Sequence, residues 1–122
     1  MGEDKLVRLL LLEDSEDDAL LILRSLRQGG FRVDYERVWS RENMCDALDR
    51  RDWDIVVSDH AMPGFDGLSA LQCLREKGKD IPFILVSGTI GEELAVRAMR
   101  KGANAYLMKN NLPRLAPAVQ RE

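Results

Sequence analysis

The stretch Asp54–Gly67, DIVVSDHAMPGFDG, combines a short apolar run with an acid at its end. Ile55–Val57 are β-branched and apolar, which predicts a strand buried on both faces. Asp59 follows at the carboxyl end of that strand, and Met62–Gly64 predicts a loop before a helix that Asp66 can cap. Ligands of open α/β sheets bind at such strand ends, so Asp59 is a candidate functional residue, although a solvated loop aspartate explains it equally well at this point.

The length and composition favour one ordinary globular domain. The chain has 122 residues, 45% of them hydrophobic, which is enough for a core without metal or disulfide support. The net charge of −3 gives no support for a nucleic-acid surface. No apolar run is long enough to span a membrane and no signal peptide is present, so we expect a cytoplasmic protein. Cys45 and Cys73 fall in separate helical patterns, where small buried or half-buried hydrophobic residues are expected.

Strand and helix patterns alternate along the whole chain. Serines at positions 15 and 40 and the Thr89-x-x-Glu92 pattern predict three helix starts. Two prolines near the end predict a short last helix that begins only near Pro117. The predicted strands are Leu6–Leu12, Phe31–Val38, the run from Ile55, Phe83–Ser87 and Ala105–Met108.

Five strand–helix units of this length predict an α/β fold, a doubly wound five-stranded parallel sheet with helices on both faces. Such sheets usually have the strand order 2-1-3-4-5. The first, third and fourth strands are the most continuously apolar, as their central positions in that order require.

The predicted strand ends bring chemically compatible side chains to one rim. The first strand supplies Glu13 and Asp14, the third Asp59, the fourth Ser87 and the fifth Lys109. Neighbouring carboxylates attract a hard divalent cation such as Mg²⁺, and lysine and hydroxyl groups suit phosphate oxygens. Phosphoryl transfer depends mainly on positioning and charge stabilisation, so this set favours phosphoryl chemistry.

Four motifs, LLLLEDSEDD, VVSDHAMPGFDG, ILVSGT and AYLMK, together resemble the receiver domain of two-component response regulators. The resemblance runs from about residue 5 to about residue 119. It implies a flavodoxin-like or CheY-like fold and a single receiver domain over residues 1–122, with its core at about 5–119.

The resemblance implies a role for each matching position. Asp59 would accept a phosphoryl group, and Ser87 and Lys109 would bind its oxygens. Ser87 and Tyr106 would act as the conformational switch. The implied metal ligands for Mg²⁺, which Mn²⁺ can replace, are Glu13, Asp14, Asp59 and the main-chain carbonyl of Ala61.

The resemblance also implies partners. The phosphoryl donor would be a histidine kinase or a histidine phosphotransfer protein. A downstream protein, or an attached sensor or output module, would contact the face formed by helix 4, strand 5 and helix 5. Nucleic acid and membrane are not expected as partners. Enzymatic turnover of other substrates is not expected either, because the resemblance implies only the domain's own phosphorylation and dephosphorylation.

Three departures from the family pattern bear on the site. Glu13 is longer than the aspartate often found there, so its metal contact is expected to be shifted. Asn110 replaces the proline that typically follows the lysine, so we expect the loop to hold Lys109 less rigidly. Ala61 and Thr89 offer no carboxylate or amide to orient a water molecule, which predicts slow self-dephosphorylation.

Two other functions stay open on the sequence. A degenerate receiver would bind a partner without being phosphorylated. An aspartate-nucleophile phosphohydrolase usually has its second acid two residues after the nucleophile on the first strand, whereas Glu13 and Asp14 are adjacent. Flavin binding is disfavoured, because the first loop is acidic where a phosphate cradle should be neutral or basic.

Overall fold

The structure is a computed structural model that describes residues 5–88 and 91–122. The described chain alternates strands and helices, and a 3₁₀ segment precedes the last helix. The elements are β1 (Lys5–Leu12), α1 (Glu16–Gln28), β2 (Phe31–Val38), α2 (Arg41–Arg50), β3 (Ile55–Asp59), α3 (Gly67–Glu76), β4 (Phe83–Ser87), α4 (Glu92–Arg100), β5 (Ala105–Met108), the 3₁₀ segment (Lys109–Arg114) and α5 (Leu115–Gln120).

The strands form one parallel sheet in the order β2-β1-β3-β4-β5, which confirms the predicted order. Every residue of β3 and of β4 is buried, as their continuous apolar sequences predict for central strands. β2 lies at one edge, and only parts of it are buried.

Alternate side chains of each strand enter two separate hydrophobic layers. Leu9 and Val57 point to the layer covered by α1 and α5. Leu10 and Val56 point to the opposite layer, covered by α2, α3 and α4. Because of this alternation, both faces of the sheet are covered by apolar side chains. A polar site can therefore form only at the strand ends.

Side chains cap three of the helices at the positions that the sequence predicts. Ser15 accepts a hydrogen bond from the Asp18 N–H at 3.2 Å, and Ser40 caps α2 in the same way. Asp66 Oδ1 accepts from the Ser69 N–H at 2.8 Å. The predicted capping box at Thr89 lies outside the described residues, and the described part of α4 begins at Glu92.

The last helix is short, as predicted. α5 has six residues and begins two residues before Pro117, so the missing N–H of this proline falls in the first turn, where it breaks no helical bond. Among the described helices, none combines the length and the apolar character needed to cross a bilayer.

Gly29 lets α5 approach the end of α1. A Cβ atom on Gly29 would overlap the Cβ atom of Ala116 in α5. Gly29 itself has φ −83°, a value that alanine adopts without strain, so the contact with Ala116 and not the backbone requires glycine here.

We therefore expect Gly29→Ala to reduce the free energy of unfolding by about 1–3 kcal/mol through overpacking. Ala116→Gly should rescue part of this loss in the double variant, because it removes the atom with which the new Cβ overlaps. Chemical denaturation of the two single variants and the double variant measures the coupling. Strictly additive losses would show that the two positions do not clash.

Candidate functional site at the strand ends

Strand register brings three carboxylates together at the carboxyl edge of the sheet. Leu12 of β1 pairs with Ser58 of β3, so the residues that follow, Glu13 and Asp59, lie side by side. One carboxylate oxygen each from Glu13, Asp14 and Asp59 lie within 4.8 Å of one another. Glu13 is 0% exposed and Asp59 3%, whereas Asp14 is exposed. The predicted acidic cluster is therefore present.

Lys109 supplies the positive charge at this cluster. It follows β5 directly, and its Nζ lies 3.2 Å from Asp59 Oδ1 and 3.4 Å from Glu13 Oε2. Burial lowers the pKa of Lys109, but the hydrogen bond to Asp18 and the charges of Glu13 and Asp59 outweigh it, so the pKa lies above its ordinary value. Lys109 therefore stays a cation in this site.

Asp18 is a member of the site that the sequence interpretation missed. Its carboxylate accepts a hydrogen bond from Lys109 Nζ at 2.7 Å. This distance is shorter than those from Lys109 Nζ to Glu13 and to Asp59. The sequence marked Asp18 only as part of a capping box. The usable signal was its place in the first turn of α1, which starts at the same rim. The less rigid hold on Lys109 that Asn110 implies stays a prediction, and Asp18 is one contact that restrains this lysine.

Burial dominates the electrostatics of Glu13. It raises the pKa of Glu13 to about 7, although the hydrogen bond from the Ser15 N–H to Oε1 acts in the opposite direction. The other oxygen, Oε2, is buried and makes no hydrogen bond to the described residues, and Lys109 Nζ lies 3.4 Å from it. A buried, under-coordinated carboxylate oxygen beside two further carboxylates fits a divalent cation by its donor chemistry.

The backbone around Asp59 is held closely. Ser58 Oγ donates to the Asp59 carbonyl at 2.9 Å, and the Gly67 N–H donates to the His60 carbonyl at 2.9 Å. A Cβ atom on Gly67 would overlap Leu85 and lie 2.8 Å from the Asp59 carbonyl oxygen. The start of α3 therefore rests directly on the peptide that carries Asp59, which fixes where its carboxylate emerges.

The other predicted site residues lie at or near the same edge. Ser87 ends β4, is buried, and pairs with Met108, the residue before Lys109. Ala61 is exposed in the loop after Asp59. Tyr106 is half-buried against the layer under α2 to α4, with its hydroxyl 3.8 Å from Met108 Sδ. These positions agree with the predicted assembly, and the roles of these residues stay predictions. Thr89 lies outside the described residues.

A doubly wound sheet with a partly buried acidic cluster and a lysine at its carboxyl edge defines a receiver-type site. The family model of the response regulator receiver domain matches residues 9–120. The chain therefore belongs to the response regulator receiver domain family, and the predicted family is confirmed.

Curated relatives match most of this chain. It is 35% identical over 107 residues to the C4-dicarboxylate transport transcriptional regulatory protein DctD of Pseudomonas aeruginosa, an alignment that covers 87% of this chain and 22% of the relative. It is 34% identical over 103 residues to the transcriptional regulatory protein TctD of Salmonella typhimurium, an alignment that covers 84% of this chain and 45% of the relative. The chain thus spans less than half the length of either relative.

Solved structures show the same fold. The receiver domain of Francisella response regulator 1452 has a TM-score of 0.82 and 23% identity, with 94% of each chain covered. A BeF₃-activated DrrB receiver domain has a TM-score of 0.77 and 20% identity, covering 95% of this chain and 96% of that one. Both similarities concern the fold alone.

The contact between Asp18 and Lys109 predicts a measurable coupling in the metal-free protein. Because both side chains are partly exposed, a double-mutant cycle with Asp18→Asn and Lys109→Met should give a coupling of about 0.5–1 kcal/mol in the free energy of unfolding. Asp17, the exposed neighbouring acid, provides the matched cycle, which should give about zero. Equal couplings in the two cycles would contradict the specific pairing.

Proposed function

We propose that this receiver domain accepts a phosphoryl group on Asp59 from a phosphohistidine of a histidine kinase or histidine phosphotransfer protein. The observation that supports this most strongly is the placement of Asp59. Its buried carboxylate has a second carboxylate, that of Glu13, on one side and the ammonium group of Lys109 at 3.2 Å. A solvated loop aspartate would need neither neighbour.

The proposed reaction uses Asp59 as nucleophile. A carboxylate oxygen attacks phosphorus in line, the phosphorus–nitrogen bond of the phosphohistidine breaks, and an acyl phosphate forms on Asp59. Lys109 Nζ lies close enough to Asp59 to bind an oxygen of the incoming group without a large movement. Ser87, at the end of the adjacent strand, would supply a hydroxyl to another oxygen.

The acidic cluster would hold Mg²⁺, which Mn²⁺ can replace. The proposed ligands are Glu13, Asp14, Asp59 and the main-chain carbonyl of Ala61. When bound, the cation would neutralise negative charge on the phosphoryl oxygens. The close carboxylates support this assignment, and so does the buried Glu13 Oε2, which makes no hydrogen bond to the described residues.

Phosphorylation would shift the domain between two arrangements. A phosphoryl group on Asp59 would draw in Ser87 and Lys109, and Tyr106 would turn inward in response. The partner surface would be the face of α4, β5 and α5. Exposed Val96 and Met99 on α4, 49% and 50% accessible, support an apolar contact there.

The output is proposed at the level of class. The relatives are named as transcriptional regulatory proteins, and this chain covers only part of each of them. An attached output or sensor module, or a separate downstream protein, would therefore read the state of Asp59. We propose a cytoplasmic protein that makes no contact with nucleic acid or membrane through this domain and turns over no other substrate.

Asp59→Asn should abolish covalent labelling by a small phosphodonor such as phosphoramidate in the presence of Mg²⁺, because the amide has no nucleophilic carboxylate oxygen. Intact-mass spectrometry measures the added phosphoryl group. Asp80→Asn, at an exposed acid in the loop before β4, is the matched control and should label like the unmodified protein.

Two outcomes would contradict the assignment. Continued labelling of the Asp59→Asn variant would place the acceptor elsewhere. Absence of labelling in the unmodified protein, together with normal folding, would favour a degenerate receiver that acts by binding alone. Steady turnover of a phosphate ester would instead favour a phosphohydrolase.

The lifetime of the aspartyl phosphate is expected to be minutes or longer. Ala61 is exposed beside the site and has no group that can orient an attacking water molecule. Ala61→Asn should shorten the lifetime by supplying an amide, whereas Ala61→Val should not. Decay of the labelled protein, followed by mass spectrometry, tests this, and a lifetime of seconds in the unmodified protein would refute it.

A further inference from the structure

Cys45 and Cys73 form a pair of thiols outside the phosphoryl-acceptor site. They are 28 positions apart in the sequence, but α2 and α3 place their Sγ atoms 3.6 Å apart. Both are free cysteines, Cys45 half-buried and Cys73 7% exposed, which agrees with the predicted burial. Nothing in the pattern of residues indicates that the two cysteines are neighbours.

The separation is short enough for a disulfide to form by a local change. A disulfide bond is about 2.05 Å long, so the two sulfur atoms need to approach by roughly 1.5 Å. Rotation about the side-chain torsions of two cysteines can supply much of this distance without moving the sheet. Cys73 is buried, so dissolved reagents have little access to its sulfur.

The surroundings give the two thiols different roles. Burial raises the pKa of Cys73, which favours its neutral form, whereas Cys45 is only half-buried. The positive charges of Arg41 and Lys77 act on Cys73, and Lys77 Nζ lies 3.2 Å from Asp49 Oδ1. A half-buried thiol 3.6 Å from a more deeply buried one matches a first-oxidised and a resolving cysteine.

We propose that a hydroperoxide oxidises Cys45 and Cys73 to an intramolecular disulfide that joins α2 to α3. The Cys45 thiolate attacks a peroxide oxygen, the oxygen–oxygen bond breaks, and a sulfenic acid and hydroxide form. The Cys73 sulfur then attacks Cys45 Sγ and displaces water. In total, two thiols and one hydrogen peroxide give one disulfide and two waters.

The cross-link would act on the same helix that supports Asp59. α3 begins at Gly67, whose N–H donates to the His60 carbonyl at 2.9 Å. A disulfide between α3 and α2 limits the movement of α3 relative to α2. It also lowers the conformational entropy of the unfolded chain, which stabilises the folded state. The proposal does not depend on phosphorylation, because the two cysteines lie outside the acidic cluster.

The test is to treat the protein with equimolar hydrogen peroxide, alkylate remaining thiols under denaturing conditions and measure the intact mass. The expected product is a monomer that has lost about 2 Da, the two thiol hydrogens, and takes up no alkylating reagent. Digestion without reductant should give one cross-linked peptide pair containing Cys45 and Cys73. The midpoint of thermal unfolding should rise by several degrees on oxidation and return on reduction.

Cys45→Ser and Cys73→Ser are the matched controls, and each should show no mass loss of this kind and no rise in the thermal midpoint. A thermal scan before oxidation verifies that each variant is folded. Full alkylation of both cysteines after peroxide treatment would overturn the proposal. So would a sulfinic acid at Cys45, or a disulfide found only between two copies of the chain.

Discussion

The site depends on keeping two buried carboxylates, those of Glu13 and Asp59, next to each other at one edge of the sheet. Burial and mutual repulsion both oppose this arrangement. A raised pKa of about 7 for Glu13 means that its carboxyl group destabilises the fold as the pH rises from about 4.5 to 7, since the folded state holds the proton more tightly than the unfolded chain. Lys109, in contact with both acids, offsets part of this cost.

The surrounding packing makes this arrangement possible. The β1–β3 register places Glu13 beside Asp59, and Gly67 packs closely against the main chain of Asp59 and His60. Asp18 of α1 forms an ion pair with Lys109. The ammonium group of Lys109 therefore contacts one acid on a helix and two acids at strand ends, Glu13 and Asp59. A phosphoryl group on Asp59 would therefore enter a site whose charges are already positioned, which is how electrostatic preorganisation promotes group transfer.

The residues at the strand ends could be predicted from the sequence, but the contacts made by helix side chains could not. Glu13, Asp59 and Lys109 could be predicted because parallel strands carry their end residues to one edge whatever the details of packing. Asp18 and the pair Cys45 and Cys73 could not, because these contacts depend on how each helix is rotated about its axis and how far it slides along the sheet. Periodicity identifies the buried face of a helix and not the neighbour that each side chain meets.

The most direct test of the account is a nuclear magnetic resonance titration with Mg²⁺ and beryllofluoride, a mimic of the phosphoryl group. If Asp59 is the acceptor in a preorganised site, amide signals at Asp59, Ser87 and Lys109 should shift together with those of β5 and α4, and Asp59→Asn should abolish these shifts. Unchanged spectra of the unmodified protein, or the same shifts in the variant, would contradict the account.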